Sequence, residues 1–315
     1  MPDPDIIARF SDAIAQLIPG FFDNDEKLGL AVSGGPDSLA LLLLANATFP
    51  DRIAAASVDH GLRPAAHQEC EFVAAICADK NIRHQILKPT IPIRGSIQSE
   101  ARKVRYALLN KWAENNAIGW LATAHHADDQ LETLIMRILR GSGIDGMSAI
   151  RSRRGNIVRP LLHFPKTMLA DFVKSQNIIP VEDPSNADNS FDRVRIRKAL
   201  SELNGFDVSL ASQSAAALDD ARTALQWMID ELSLQHVHKT DAGCTLDRTD
   251  FPHEIIRRLV LKCLHICQPA VSPRGAQLER TILALQHNEK ITIGDVLCQG
   301  GKTWTFSPAP KRRDR

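Results

Sequence analysis

No stretch of this 315-residue chain is long and apolar enough to cross a bilayer. Its longest uninterrupted apolar run, 39–45, falls far short of the roughly 20 residues a spanning helix needs. The first residues are acidic and lack the basic start and apolar stretch of a secretory signal, so no membrane association and a cytoplasmic location are expected. Cysteine is scarce: six residues, at 70, 77, 244, 263, 267 and 298, with no C-x-x-C pair. Reduced thiols are therefore expected rather than a disulfide framework or a paired-cysteine metal or sulfur centre. Net charge is lacking as well, since 38 Lys and Arg against 37 Asp and Glu leave +1. Bulk electrostatics announces no polyanion binder. There is no internal repeat and no low-complexity tract.

What is present reads as a two-part globular protein. Hydrophobic content of 44% and charged content of 24% are ordinary, and 315 residues suffice for two cores. Strand-like runs at 27–32, 53–58, 82–87, 118–124 and 156–162 alternate with helix-like ones at 38–47, 65–80, 98–117, 127–140 and 166–177. Near-continuous apolar strands spaced by helices predict an α/β fold: a doubly wound, mainly parallel sheet with ligands at its carboxyl edge. Polar, turn-rich 181–191 then marks a change of texture. Beyond it come a helix near 192–203, a long amphipathic pattern over 206–237, a short strand near 244–248 and helices near 251–267 and 273–287. Two alternating runs around Gly300-Gly301 close the chain as a hairpin signal. The domains expected are 1–205 and a mostly helical 206–315 ending in a β-hairpin.

The first strand ends in Ser33-Gly34-Gly35-Pro36-Asp37-Ser38, directly before the helical run. Paired glycines let backbone approach a ligand closely, and a helix start aims free N–H groups at an anion. The lysine of a Walker A loop is missing, so the group that would reach the β- and γ-phosphates is absent. Such a loop suits ATP cleavage that releases pyrophosphate whole. Asp37 would repel bare phosphate but makes sense as a Mg²⁺ ligand.

Three other segments converge on the same edge. In 57–66, Asp59 and His60 follow the second strand, beside the place where adenosine would rest. In 99–109, Arg102 and Arg105 share one helix face and can clamp phosphates or a carboxylate. In 121–143, a helix after the fourth strand puts His125, Asp129 and Glu132 on one stripe, with Asp128 beside it. The same stripe could be a transition-metal site, though no second well-spaced His or Cys set supports a zinc centre. Two arginine clusters interrupt the charge balance: 137, 140, 151, 153, 154 and 159 against the single acid Asp145, and Arg193, Arg195, Arg197 with Lys198. Such clusters can attract a polyanion locally.

The S-G-G-P-D-S loop resembles the signature of the N-type ATP pyrophosphatases, the PP-loop superfamily. With it, V-D-H-G-L-R, A-R-x-x-R-Y, T-A-H-H-x-D-D-Q-x-E-T, L-R-G-S-G, the R-P-L-L of 159–162 and the E-D-P-S-N of 182–186 run in order over about 28–200. In series they resemble the tRNA(Ile)-lysidine synthetase family. One departure is Val194, in Arg193-Val194-Arg195-Ile196-Arg197, where the family has asparagine. The resemblance implies an adenine nucleotide alpha hydrolase-like fold and a ligase forming a C–N bond. ATP would adenylate O2 of the wobble cytidine of tRNA(Ile) with the CAU anticodon, and the ε-amine of free L-lysine would displace AMP to give lysidine.

Carried onto this sequence, the resemblance implies that Ser33, Gly34, Gly35, Pro36, Asp37, Ser38, Asp59 and His60 bind ATP. Asp37 and Asp129 would hold Mg²⁺, and Arg102 and Arg105 would stabilise phosphate or the base oxygen. His125, Asp128 and Glu132 are candidates to orient the lysine amine or take its proton. The 137–159 arginines would grip the anticodon stem-loop, and the second domain would recognise tRNA. The resemblance further implies a short form of the family, and the family tends to form homodimers. Rival readings are a PP-loop tRNA thiolase, disfavoured by the missing C-x-x-C, an amidating enzyme, disfavoured by the missing glutaminase-like domain, and a non-catalytic tRNA-binding module, which would not need Asp37 and Asp129 opposite phosphate.

Overall fold

A computed structural model describes residues 4–61, 65–89, 97–181, 192–201 and 207–310. The chain divides into two units, Met1–Asp219 and Asp220–Arg315.

The first unit opens with α1 (Pro4–Leu17), which the strand and helix pattern above did not include. Ile6, Phe10, Ile14 and Ile18 recur every fourth residue and are all buried, so the helical period was present in the sequence. Strand β1 (Lys27–Ala31) follows, then α2 (Pro36–Thr48), β2 (Ile53–Val58), α3 (Ala65–Asp79) and β3 (Arg83–Leu87). Next come α4 (Ile97–Asn115), β4 (Ile118–Ala122), α5 (Ala127–Ile138) and the single turn α6 (Ile144–Met147). The two-residue strands β5 (Arg153–Arg154) and β6 (Ile157–Val158), α7 (Lys166–Ser175) and α8 (Asp192–Ser201) complete it.

The sheet runs β3-β2-β1-β4-β6-β5, parallel throughout except for the β5–β6 pair. The chain winds outward from β1 to β3, then crosses back to β4 on the other flank of β1. The topological switch therefore lies between β1 and β4, and their carboxyl ends frame the place where such sheets bind ligands. Helix α2 is apolar all round because it is covered on every side: it meets α1 and α7 as well as β1 and β2, and every residue from Ser38 to Ala45 is buried. Gly29 of β1 admits α4 closely, since a Cβ there would stand 2.9 Å from Trp112 Cζ3 and 3.0 Å from Ile118 Cγ2. As a crossover between parallel strands, α4 runs antiparallel to them, which brings Arg102 and Arg105 in its first half to the carboxyl edge.

Helix α9 (Val208–His236) crosses the boundary between units. Its first turns belong to the first unit: Ala211 and Ala215 are buried, and Ser212 Oγ donates to the Leu162 carbonyl at 2.6 Å. That packing carries the division past residue 205.

The second unit adds β7 (Val237–Thr240), β8 (Gly243–Leu246), α10 (His253–Cys267), α11 (Gly275–Gln286), β9 (Lys290–Ile293), β10 (Val296–Gln299) and β11 (Trp304–Pro308). Its antiparallel sheet is ordered β7-β8-β11-β10-β9. The terminal runs thus form three strands, and β7 was hidden in the tail of a helical pattern. All six cysteines are free. Among the described residues, no helix is long and apolar enough to cross a membrane.

Candidate active site

The loop after β1 is braced by its own serines. Ser33 N–H donates to Ser38 Oγ at 3.1 Å, the two hydroxyls are 3.2 Å apart, and Ser38 Oγ donates to the Gly35 carbonyl at 3.0 Å. Ser38 is buried, so its hydroxyl shapes the loop, and the anion-facing donors are the backbone amides of the loop and of the first turn of α2. Gly35 caps that helix in extended conformation, and Pro36 takes the first helical position, where no N–H is needed. Gly34 has φ +88°, and a Cβ there would lie 3.4 Å from Val73 Cγ2 and 3.5 Å from the Glu69 carbonyl. Gly34→Ala therefore loads about 1–2 kcal/mol of strain onto the loop. The expected result is a KM for ATP raised about tenfold in an ATP titration, with the melting temperature lowered by about 2–8 °C.

Opposite the loop, β4 leads through Thr123–His126 into α5. His126 is the N-cap of α5, and its backbone N–H donates to Asp129 Oδ2 at 3.1 Å. Its ring is the centre of the site. His126 is 3% exposed, with Nε2 at 3.4 Å from Asp37 Oδ2 and 3.6 Å from Asp129 Oδ2, and Nδ1 at 3.6 Å from Asp128 Oδ2. Burial alone would lower its pKa, but the carboxylates of Asp128, Asp37 and Asp129 outweigh it and push the imidazole up to about 10. The ring is then an imidazolium at neutral pH. Asp128 also accepts the Lys166 N–H at 2.8 Å; burial works against its ionisation, and His126 and Lys166 hold its pKa below the usual value. One oxygen of Asp37, Oδ1, is buried with no partner among the described residues.

The stripe expected from the sequence is thus rotated. His125 precedes the helix, half-buried, with Nδ1 at 3.0 Å from Thr123 Oγ1, and it does not join Asp129 and Glu132 on a helical face. His126 takes the central position. An H-x-x-D pattern at a helix start, with the acid reaching back to the cap, was the signal that could have selected it. Glu132 is not an open proton acceptor. It is 2% exposed and clasped by Arg197 of α8, with Nε at 2.7 Å from Oε1 and Nη2 at 3.3 Å from Oε2.

On the adenosine side, Asp59 is buried and engaged: it accepts the Gly61 N–H at 3.0 Å and pairs with His67 at 3.3 Å and Lys88 at 3.5 Å. Burial raises its pKa, but the Gly61 amide and Lys88 win and hold it low. The acid closes its own loop. His60 Nδ1 is buried without a partner among the described residues, and burial followed by the charge of Arg105 lowers its pKa. Arg102 and Arg105 both lie by the Tyr106 ring, at 5.1 and 5.7 Å from its centroid. Of the 137–159 arginines, Arg153 stacks on Trp120 at 4.3 Å and Arg159 is buried, whereas Arg137, Arg140, Arg151 and Arg154 are exposed. Residues 182–186 lie outside the described residues, as does the side chain of Arg193. Val181 N–H just before them donates to the Gly34 carbonyl at 3.1 Å.

A glycine loop at a helix start that carries Asp37, on the switch point of a parallel sheet and facing Asp128 and Asp129, defines an ATP-binding α/β domain of the PP-loop class. The PP-loop domain family matches residues 4–203. Over most of its length the chain belongs to the tRNA(Ile)-lysidine synthase family. It is 40% identical to the tRNA(Ile)-lysidine synthase of Zymomonas mobilis over 314 residues, covering 96% of this chain and 94% of that one. The enzyme of Novosphingobium aromaticivorans is 34% identical, with 92% and 91% covered, and that of Ruegeria pomeroyi 37%, with 87% and 69% covered. Among solved structures, the U34-tRNA thiolase NcsA from Methanococcus maripaludis superposes with a TM-score of 0.54 at 16% identity, over 70% of this chain and 79% of that one. The fold is shared with that protein.

Proposed function

We propose that the chain ligates L-lysine to C2 of the wobble cytidine of tRNA(Ile) with the CAU anticodon, through a cytidine adenylate. The observation that carries this reading is the gathering of Asp128 and Asp129 of α5 and Asp37 of the first turn of α2 around His126, at an anion-binding helix start. In the first step cytidine O2 attacks the α-phosphorus of ATP and pyrophosphate leaves. The loop amides, the α2 terminus and the guanidiniums of Arg102 and Arg105 meet the developing charge. In the second step the lysine ε-amine attacks C2 and AMP departs with the former O2.

Asp37 and Asp129 suit Mg²⁺. Asp37 offers a buried oxygen with no partner among the described residues. Mg²⁺ takes one or two carboxylates and fills its other positions with phosphate and water. Bound there, Mg²⁺ would supply charge neutralisation for the leaving pyrophosphate. The carboxylates also make the cleft attractive to the ammonium of lysine. Glu132 and Asp128 already have cationic partners, which suits them to orienting the amine rather than to taking its proton. We assign Arg137, Arg140, Arg151 and Arg154 to the anticodon stem-loop, whose wobble base must be splayed outward to react.

The test is AMP release from ATP with unmodified tRNA(Ile), with and without lysine. Release that needs the tRNA, and lysidine in digested product only when lysine is present, are expected. AMP formed without tRNA would overturn the reading.

A further inference from the structure

Arg159, alone among the arginines of 137–159, is taken inside the fold. It follows β6 at the carboxyl edge of the sheet and is 6% exposed. Its Nη1 donates to the Arg151 carbonyl at 2.7 Å, its charge interacts with the Tyr106 phenol, and its Nε is buried with no partner among the described residues. Tyr106, the single tyrosine of the chain, is also approached by Arg102, whose Nη2 stands 3.5 Å from the phenol oxygen, and by Arg105 over its ring. Three guanidiniums thus gather about one phenol. Among the described residues none of the three has a carboxylate in salt-bridge range.

A buried cation without a counter-ion is expensive, and like charges beside it add to the cost. Burial works most strongly against the charge of Arg159 and of Arg105; Tyr106 favours it in both, but Arg102 opposes it in both and Arg154 opposes it in Arg159, and the net effect lowers both pKa values. The field of Arg105 reaches His60 after β2, so the cluster extends from the end of β2 to the end of β6. Between those strands lie β1 and β4, with the phosphate loop and His126. An anion bound at the switch point is the missing partner. Two features select its kind. The depth of Arg159 suits a small ligand within the crevice and not the backbone of a folded RNA. Three fixed charges match a tri- or tetra-anion better than the single carboxylate of an amino acid.

We propose that Arg159, held against Tyr106, completes with Arg102 and Arg105 a pocket for the pyrophosphate released from ATP, and so serves the nucleotide and not the anticodon. This rests on the reaction proposed above. There the bond from cytidine O2 to the α-phosphorus forms while the bond from that phosphorus to the α,β-bridging oxygen breaks. The electron pair leaves on pyrophosphate, which the pocket receives.

The experiment is calorimetric titration of inorganic pyrophosphate, in buffer with magnesium chloride, into the full chain and its Arg159→Gln, Arg159→Lys and Tyr106→Phe variants. Parallel titrations use unmodified tRNA(Ile) and L-lysine. Loss of a charge-assisted contact predicts a Kd for pyrophosphate raised about tenfold or more in Arg159→Gln. A smaller rise is expected in Arg159→Lys, with Kd for tRNA and for lysine within about twofold of the parent. Arg159→Lys keeps the buried charge, so it decides the matter if Arg159→Gln does not fold. Unchanged pyrophosphate affinity overturns the proposal; weakened tRNA binding alone would move Arg159 to the RNA, and weakened lysine binding alone to the amino acid. The titration needs no turnover. A parent that binds pyrophosphate through Arg159 but makes no lysidine would sink the reaction assigned above and leave the pocket standing.

Discussion

Asp37→Asn should reduce tRNA-dependent AMP release by about 1,000-fold while the protein stays folded. Replacing one preorganised group that faces developing charge costs on the order of 100- to 1,000-fold, and a ligand to a charge-neutralising ion belongs at the upper end. Asp37 meets both descriptions. Its Oδ2 faces the His126 imidazolium at 3.4 Å and its Oδ1 is buried without a partner among the described residues, as an oxygen that receives a cation would be. Asparagine keeps the shape and the start of α2. The stability it loses is the favourable placing of an acid in a first helical turn, about 0.3–1 kcal/mol, and one of the carboxylates that balance the buried His126 imidazolium. Circular dichroism should therefore overlay that of the parent while the melting temperature falls by a few degrees. Activity within tenfold of the parent would remove Asp37 from the chemistry.

The loop and the parallel sheet were legible because their signals are local. Five apolar runs became strands, and S-G-G-P-D-S needed only its neighbours to be read as a strand–loop–helix joint. The rotation of the carboxylate stripe was not legible. A helix begun one residue earlier or later turns every side chain by about 100°. The choice between His125 and His126 thus hung on a cap that only the finished backbone defines. Arg159 was grouped with surface arginines because composition does not distinguish a solvated guanidinium from one folded under Tyr106. Strand β7 escaped for a related reason: it continues the helical run of α9 without a breaker, and its pairing with β8 is a tertiary choice. Glu132 lies 65 residues from Arg197, and no periodicity links them.

That last pair carries the largest expected effect on stability. Glu132 is buried on α5, and its two oxygens are held by Arg197 at 2.7 and 3.3 Å. Arg197→Leu would leave a carboxylate inside the fold with its hydrogen bonds unmade. A fully buried pair broken in this way costs about 3–5 kcal/mol. The Arg197 side chain is 39% exposed, so solvent softens the loss and about 2 kcal/mol is expected. In a unit of this size that lowers the melting temperature by about 4–8 °C. The sign distinguishes a structural clasp from a catalytic base. Adding Glu132→Gln to Arg197→Leu removes the stranded charge and should recover at least half of the lost stability, which a double-mutant cycle reads directly. Activity should not recover with it: the guanidinium also feels Asp129 and Asp37, and its loss leaves those carboxylates less balanced. Recovered folding without recovered turnover is the expected outcome, since the double variant lacks both the guanidinium of α8 and the Glu132 carboxylate assigned above to orienting the amine. A melting temperature for Arg197→Leu within 1 °C of the parent, or full activity in the double variant, would refute this role.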